Sequence, residues 1–237
     1  MEGWDFSWLD GRATEERPPW GYQKLVAERA SGVESVLDVQ TGGGEVLGGA
    51  LERAGRVPGR VAATESWPPN LEVARARLAA FGATVEHAAD EGALPFAGGS
   101  FELVVSRHPT VTVWPEIARV LRPGGSYLSQ QVGPGTNREL TDYLMGPQPV
   151  GEARDPERHR RLAEAAGLRV VRLVPVTLRA EFFDIGAVVW FLRKVIWTVP
   201  DFSVERYVEP LRRLDARIRH DGSFPTTVTR FLIEARK

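Results

Sequence analysis

The sequence predicts an α/β fold built on an open, mainly parallel sheet, and two observations carry that prediction. Over residues 36–47 a short apolar run ends at Asp38, three glycines follow at 42–44, and a helical pattern begins. This order is typical of a buried strand, a tight turn and a helix start. Further apolar runs alternate with helical segments as far as residue 132. Ligands of such sheets bind beyond the carboxyl ends of the strands, so a site is expected at that edge.

Composition limits the class of protein. A chain of 237 residues suits one α/β domain with an elaboration. Hydrophobic residues make up 43% and charged residues 26%, and the net charge of −1 does not indicate a generally basic surface for nucleic acid. The sequence has no cysteine, which excludes disulfides, cysteine–zinc sites and a thiol nucleophile. It also has no His-x-x-x-His pair, so no metal is expected.

Targeting signals are not apparent in the sequence. The first five residues are acidic, and no basic segment followed by an apolar run is present. The longest apolar stretch, 185–200, is interrupted by Arg193 and Lys194 and is too short to span a bilayer. We therefore expect a soluble, cytoplasmic protein without a membrane partner. The sequence carries no signal for an oligomeric state.

The first 30 residues form a segment rich in aromatic side chains, namely Trp4, Phe6, Trp8 and Trp20. Its last part, 20–30, is predicted to be a helix that leads into the first strand. The aromatic side chains either form a flap over a ligand or anchor the segment on the core. The pattern alone leaves both interpretations open.

The other elements follow from periodicity and from the positions of glycine and proline. Strands are predicted at 35–39, 61–65, 83–87, 98–106 (with its opening turn), 127–132, 168–178 and 226–235. Helices are predicted at 44–55, 70–81, 116–121, 138–144, 156–166, 185–195 and 204–219. The last two helices lie in an insertion of about residues 180–224 between the final two strands.

Spacing restricts the ligand of the glycine turn. The dinucleotide fingerprint Gly-x-Gly-x-x-Gly fails because its third glycine falls on Leu47, and a phosphate loop would need a lysine that is not nearby. Glu65 ends the second predicted strand, about 20 residues beyond the turn, where an α/β nucleoside site places the carboxylate that binds a ribose. The carboxylate oxygens of Glu65 can accept hydrogen bonds from ribose hydroxyls. A ligand with a nucleoside part is therefore expected.

The glycine turn also resembles a known family motif. The pattern Asp38-x-x-x-Gly42-x-Gly44 resembles motif I of the class I S-adenosylmethionine-dependent methyltransferases, which is normally Asp-x-Gly-x-Gly-x-Gly. Gln40 stands in the place of the first glycine. In the family this turn surrounds the methionine end of S-adenosylmethionine, so the departure affects the shape of the turn at that end.

Three further stretches resemble the same family in the same order. Residues 89–96, Ala-Asp-Glu-Gly-Ala-Leu-Pro-Phe, resemble the loop whose acid accepts from the adenine amino group, and Asp90 matches that acid. Residues 99–104 resemble Gly-Ser-Phe-Asp-x-Val, with Glu102 in place of the aspartate. The run 116–125 resembles the family's helix that ends in Pro-Gly-Gly. The resemblance covers residues 36–132.

The resemblance implies a type 11-like methyltransferase domain that spans 1–237, with a cofactor-binding core at 31–135. The implied fold is a Rossmann-like seven-stranded methyltransferase sheet with helices on both faces and a helical insertion between the last two strands. The implied cofactor is S-adenosylmethionine. The residues expected to bind it are Asp38, Gln40, Gly42, Gly44, Glu65, Ser66, Trp67, Asp90, Glu91 and Ser106. The insertion at 180–224 and the aromatic segment at 1–30 are expected to cover the acceptor as a lid.

Methyl transfer from a sulfonium requires mainly that the acceptor be held in line, and a base helps only when the acceptor must lose a proton. His108 follows the fourth predicted strand and is the candidate catalytic base, because a histidine titrates near neutrality. The alternative is a histidine that only packs in the loop or supports the cofactor. Glu181 and Asp184, at the start of the insertion, are lesser candidates.

Three functions compete at this stage. The first is methylation of an O or N atom of a small molecule. The second is methylation of RNA or DNA. The adenine-amino subtype is disfavoured, because Ser-Arg-His-Pro at 106–109 stands where Asn/Asp-Pro-Pro-Tyr would be expected. The third is a non-methylating protein that keeps the fold and the pocket, an alternative that the departure at Gln40 leaves open.

Overall fold

The computed structural model describes residues 6–237, so Trp4 lies outside the described residues. The strands are β1 (Ala13–Glu15), β2 (Ser35–Asp38), β3 (Arg60–Glu65), β4 (Thr84–His87), β5 (Phe101–Arg107), β6 (Leu121–Val132), β7 (Arg169–Phe182) and β8 (Phe224–Arg236). The α-helices are α1 (Tyr22–Ala30), α2 (Glu45–Leu51), α3 (Pro68–Leu78), α4 (Trp114–Val120), α5 (Arg138–Met145), α6 (Pro156–Ala165), α7 (Ile185–Lys194) and α8 (Val208–Asp221). Single 3-10 turns lie at Ser7–Leu9, Ala79–Phe81 and Glu152–Arg154.

The strands form one mixed sheet in the order β1-β7-β8-β6-β5-β2-β3-β4. Strands β2 to β6 are parallel where they pair, whereas β8 runs antiparallel to both β6 and β7. This is the Rossmann-like α/β sheet that the sequence predicts, and its last two strands, β7 and β8, form an antiparallel pair. The parallel strands bring their carboxyl ends to one edge, which is where a ligand is expected.

The predicted count of seven strands is one too few. The extra strand, β1, pairs antiparallel with the end of β7, from Ala13 opposite Phe182 to Glu15 opposite Ala180. The sequence pattern predicts that the sixth strand ends at residue 178, but the corresponding strand β7 continues to Phe182. Without β1, the outer edge of β7 would present unpaired backbone N–H and C=O groups. Pairing with β1 satisfies part of this edge.

Helices cover both faces of the sheet, as expected. On one face, Val26 of α1, Leu51 of α2 and Leu78 of α3 belong to a core with Val36 and Leu103. On the other face, α4 and α6 pack their apolar residues over Leu37, Val104 and Tyr127. Burial on both faces explains why the central strands are continuous apolar runs in the sequence.

The insertion between β7 and β8 contains two helices, α7 and α8, and it builds a separate apolar core with α5. The Asp184 side chain caps α7 by accepting from the backbone N–H of Ala187 at 2.8 Å. In α8 the buried residues Leu211, Leu214 and Ile218 follow helical spacing. Because β7 and β8 are longer than predicted, the insertion occupies residues 183–223.

The start of β6 also differs from its prediction. Helix α4 ends at Val120, and Leu121 already pairs with Phe101 of β5 before the Pro-Gly-Gly turn. The turn therefore interrupts the strand as an irregularity instead of separating a helix from a strand. Gly124 has a φ of 79°, a conformation that glycine adopts readily.

None of the helices between residues 6 and 237 combines the length and apolar character that a bilayer crossing requires.

Candidate active site

A cleft opens at the carboxyl edge of the parallel strands. Asp38 pairs with Ala63 of β3 and with Val105 of β5, so the ends of these three strands lie side by side. The cleft is partly open to solvent, and Gln40, Asp90 and Ser106 are among its lining residues. The residues predicted to bind a cofactor all lie in the strand ends and loops of this edge.

The glycine turn after β2 adopts a conformation that explains its composition. Gly42 and Gly44 have φ values of 64° and 77°, in the left-handed region that favours glycine. Gly44 is also the residue that precedes α2. The backbone of the turn is held by a bond from the Thr41 N–H to the Thr64 carbonyl at 2.9 Å. From α3, Arg77 donates to the Gly43 carbonyl at 2.6 Å.

Gln40 occupies the position where the family motif has its first glycine. Its φ of 59° lies in the left-handed region, which glycine adopts readily. Its side-chain amide spans the cleft wall to the loop after β5. The amide oxygen accepts from the Thr110 N–H at 2.6 Å, and the amide nitrogen donates to the Val111 carbonyl at 2.8 Å. The substitution therefore adds a side chain to the cleft and ties two of its loops together.

Asp38 is a buried acid, with 5% of its surface exposed. Its carboxylate accepts a hydrogen bond from the Thr41 hydroxyl at 2.7 Å. Burial raises the pKa of Asp38 to about 7, and the negative charges of Glu65 and Glu45 act in the same direction. Both protonation states of Asp38 are therefore accessible near neutral pH.

Glu65 lies at the end of β3 and is held by backbone N–H groups. One oxygen, Oε2, accepts from Gly42 at 2.8 Å. The other, Oε1, accepts from Ser66 at 3.1 Å and from Trp67 at 2.9 Å. Burial raises the pKa of Glu65, although these three donors oppose that shift. A carboxylate oxygen can accept two hydrogen bonds, so Oε2 retains one acceptor position for a ligand hydroxyl.

Asp90 and its neighbours line the outer part of the cleft. Asp90 is partly buried, and among residues 6–237 no hydrogen-bond or ion-pair donor reaches its carboxylate. Besides burial, the negative charge of Asp90 raises the pKa of Glu65. Glu91 is exposed. Trp67 precedes α3 and leaves 40% of its surface exposed, so its ring is available to a ligand.

Ser106, in contrast, turns its hydroxyl towards neighbouring side chains. The residue is 1% exposed. Its Oγ lies 2.6 Å from the Tyr127 hydroxyl and 3.0 Å from the Ser129 hydroxyl, both on β6. The hydroxyl of Ser106 is therefore already engaged, although the residue lines the cleft.

His108 follows β5 with a φ of 52° and is fixed by Gln130 of β6. The His108 N–H donates to the Gln130 carbonyl at 2.7 Å, and the Gln130 Nε2 lies 2.9 Å from the His108 Nε2. Trp20 donates its indole N–H to the Gln130 Oε1 at 2.7 Å. Since an indole nitrogen can only donate, the amide must present its N–H₂ to the histidine. The His108 Nε2 therefore accepts, and the proton of the neutral ring sits on Nδ1.

The surroundings of His108 also keep it neutral. Burial lowers the pKa of His108 well below its usual value, and the charges of Arg107, Arg230 and Arg154 lower it further. A neutral imidazole is what a base requires, but its Nε2 lone pair is taken by Gln130. The catalytic role of His108 stays a prediction, and in this arrangement the free ring atom, Nδ1, is a donor.

The two lesser candidates have structural partners. Glu181 accepts from Arg179 at 2.9 Å and from the Ser223 hydroxyl at 2.8 Å. Asp184 binds Arg12 through both carboxylate oxygens, at 2.7 and 2.9 Å, besides capping α7. Within residues 6–237 no group of three or more His, Asp or Glu side chains is placed to hold a metal ion.

Several residues that act on His108 were not predicted from the sequence. They are Gln130, Trp20 in its role as hydrogen-bond donor to Gln130, and the three arginines Arg107, Arg154 and Arg230. A signal for Arg230 exists, because this arginine directly precedes the apolar run at 231–233 of the last strand, where a charged residue is unusual. Arg154 lies in a 3-10 turn that no periodicity marks.

A family model described as a methyltransferase domain matches residues 36–125. That stretch contains the glycine turn, Glu65 and Asp90, and it ends at the Pro-Gly-Gly turn. A search of curated protein sequences finds no matching relative.

Solved structures share the fold over most of the chain. A candidate methyltransferase from Bacillus halodurans is 20% identical with a TM-score of 0.63, and the match covers 91% of this chain and 98% of that one. The [4+2]-cyclase SpnF is 16% identical with a TM-score of 0.54, over 91% and 79%. A phosphoethanolamine N-methyltransferase of Haemonchus contortus, in complex with phosphomonomethylethanolamine and S-adenosylhomocysteine, is 17% identical with a TM-score of 0.54, over 92% of this chain and 52% of that one.

The chain thus has the fold of the class I methyltransferases, with the strand arrangement and glycine turn of that class. The match of residues 36–125 to a methyltransferase domain model confirms, over that stretch, the resemblance seen in the sequence. The fold alone does not determine the reaction, since a cyclase shares it.

Proposed function

We propose that this protein is an S-adenosylmethionine-dependent methyltransferase that methylates an O or N atom of a small molecule. The observation that carries the proposal is the pair of acids beside the glycine turn. Glu65 has one open acceptor position on Oε2, and Asp90 has no donor among residues 6–237. A nucleoside brings the ribose hydroxyls and the adenine amino group that such acids would accept.

The residues present fit the cofactor at its nucleoside end. Glu65 would bind a ribose hydroxyl, Asp90 would bind the adenine amino group, and the exposed ring of Trp67 would cover the base. Asp38 and the turn at 42–44 would face the methionine end. S-adenosylmethionine, when bound, would supply a methyl group activated by the positive sulfonium. Gln40 narrows the cleft at the methionine end, because its amide crosses to the loop after β5.

The chain's own residues would then position the acceptor. His108 is neutral and rigidly held, so it would orient an acceptor through its Nδ1–H. The N-terminal segment packs on the insertion: Trp8 stacks on Trp190 with ring centroids 5.6 Å apart, and Arg12 pairs with Asp184. We propose that these two segments form one lid over the acceptor. Hydrogen exchange tests this, and a lid that gains no protection when cofactor and acceptor are bound contradicts it.

The decisive experiment is calorimetric titration of the wild-type protein with S-adenosylmethionine and S-adenosylhomocysteine. Binding of both is expected, and incubation with a methyl-labelled cofactor and pools of small-molecule acceptors should yield a labelled product. The absence of any cofactor binding would end the methyltransferase proposal.

One observation favours a second candidate, a non-methylating protein that uses the same pocket. Gln40 departs from the family motif and fills space that the motif leaves to glycine. A protein of this kind would bind the cofactor without converting it to S-adenosylhomocysteine with any acceptor pool. The labelled-cofactor assay therefore separates the two candidates.

A further inference from the structure

Three arginines, Arg107, Arg154 and Arg230, lie near enough to His108 for their charges to act on its ring. Arg107 ends β5 and pairs with Gln130 of β6, while Arg230 of β8 pairs with Val132. Paired residues share a face of the sheet, and so do residues two apart in one strand. Arg107, Gln130 and Arg230 therefore project from the same face.

Arg154 lies in the 3-10 turn before α6. The Ala153 carbonyl is bonded to the His159 ring at 3.1 Å, and that ring contacts Phe231, on the opposite face of β8 from Arg230, with centroids 5.3 Å apart. Because β6 ends at Val132, opposite Arg230, the Arg154 side chain can reach the cluster past the end of β6. Burial lowers the pKa of Arg230, and the positive charges of Arg107 and Arg154 lower it further.

The cluster has too few partners for its charge. Arg230 is 7% exposed, donates to the Thr229 carbonyl at 2.9 Å and to Glu15 at 2.7 Å, and keeps a buried Nε–H without an acceptor. Among residues 6–237 the guanidinium groups of Arg107 and Arg154 have no hydrogen-bond or ion-pair acceptor. Among residues 6–237, the only carboxylate bonded to any of the three arginines is that of Glu15, which accepts from Arg230, and Arg107 is exposed to solvent.

A cluster of arginines with so few acceptors destabilises the folded protein unless a bound anion supplies the missing hydrogen-bond acceptors. Burial of a cation without a counter-ion is unfavourable, and Arg154 and Arg230 are both at least partly buried. Guanidinium groups are donors in a planar fork that matches carboxylate and phosphate oxygens. The unpaired donors therefore indicate an anion.

We propose that Arg107, Arg154 and Arg230 bind an anionic group, a carboxylate or a phosphate, of the methyl acceptor beside His108. This inference rests on the proposed function, whose acceptor it describes. The excess of two positive charges over Glu15 favours a phosphate monoester or a dicarboxylate over a single carboxylate. The cofactor's own carboxylate is the other source of this chemistry. Arg154 and Arg230, however, belong to the β6–β8 side of β5, whereas Asp38 and Glu65 belong to β2 and β3.

Inorganic phosphate is the probe that tests the cluster. Calorimetry on the protein saturated with S-adenosylhomocysteine should detect phosphate binding, with acetate weaker. Arg154→Gln should weaken phosphate binding roughly 10- to 100-fold, because it removes charge-assisted hydrogen bonds. The matched control is Arg158→Gln on α6, an exposed arginine nearby whose loss should change nothing.

Stability supplies a second readout. Arg154 has no partner to lose and sits among like charges, so Arg154→Gln should leave the melting temperature unchanged or raise it. A merely structural arginine would lower it. Absence of phosphate binding in the wild type, or an equal loss in Arg158→Gln, would overturn the site.

The same titrations distinguish the two sources of the anion. If Arg154→Gln weakens S-adenosylhomocysteine binding as much as phosphate binding, the cluster holds the cofactor's carboxylate and the acceptor assignment is overturned. Unchanged S-adenosylhomocysteine affinity in Arg154→Gln supports it. A wild type that binds phosphate but not S-adenosylhomocysteine would contradict the proposed function while supporting the anion site.

Discussion

The Gln130 side chain donates a hydrogen bond to the His108 Nε2 at 2.9 Å and cannot turn round, because its oxygen accepts from the Trp20 indole at 2.7 Å. A base at this position would have to accept a proton where an amide already donates. The chemistry of His108 is thus set by a residue 22 positions away in the sequence.

His108 is expected to stay neutral, with its proton on Nδ1, throughout the range where histidines usually titrate. Its folded pKa lies below the unfolded value, so the unfolded chain binds more protons as the pH falls below 6.5 and stability decreases there. Two-dimensional NMR of the imidazole nitrogens reports both the tautomer and the titration. Gln130→Glu should raise the pKa of His108 by adding a negative charge beside it. A wild-type His108 that titrates near 6.5 would contradict this account.

Asp38 should make the free protein less stable as the pH rises. Its folded pKa of about 7 exceeds the ordinary value of 3.8, so between these values the folded state holds the extra proton. Stability then falls with rising pH by at most about 1.4 kcal/mol per unit from this group. Urea denaturation at several pH values should show that fall, and Asp38→Asn should flatten it. Equal slopes in the two proteins would refute the assigned pKa.

Replacement of Glu65 is expected to lower both cofactor affinity and stability, whereas replacement of Asp90 is expected to lower cofactor affinity alone. Asp90→Ala should weaken binding of S-adenosylhomocysteine without lowering the melting temperature, since Asp90 has no partner among residues 6–237. Glu65→Ala should lower both, because it also releases the N–H groups of Gly42, Ser66 and Trp67. We expect each to cost roughly 1–3 kcal/mol of binding. Calorimetry and thermal melting check both quantities.

Glu52→Ala is a suitable control for both variants, because Glu52 is an exposed acid at the end of α2. The affinity of the Glu52→Ala protein for S-adenosylhomocysteine should equal that of the wild type. An Asp90→Ala protein that binds as tightly as this control would remove Asp90 from the site.

The acids of the cleft could be predicted from the sequence because their signals are local. Asp38 and Glu65 each end a short apolar run, and the parallel order of strands brings such ends together. The partners of His108 could not be predicted in this way. They depend on the register that places Arg107 opposite Gln130, and on a turn near residue 154 that no pattern marks.

The extra strand was missed for a related reason. β1 has only three residues, Ala13–Glu15, and it exists because β7 extends far enough to offer them an edge. The consequence reaches the site, since Glu15 of this strand is the carboxylate that pairs with Arg230. A short strand without its own hydrophobic pattern is set by its neighbour.

Gln40 allows a test of the departure from the family motif. Its φ of 59° strains any residue with a Cβ, by roughly 1–2 kcal/mol. Gln40→Gly relieves that strain but loses the bonds to Thr110 and Val111, whereas Gln40→Ala loses the bonds and keeps the strain. Gln40→Gly should therefore be the more stable of the two variants in urea denaturation.

The same pair of variants shows what the Gln40 amide does to the cofactor. If the side chain only crowds the methionine end of the cleft, both variants should bind S-adenosylhomocysteine more tightly than the wild type, as measured by calorimetry. Gln40→Gly should gain more, because its turn matches the family motif. Weaker binding by both variants would mean instead that the amide holds the loop at 110–111 in the binding conformation, and crowding would be the wrong explanation for this position.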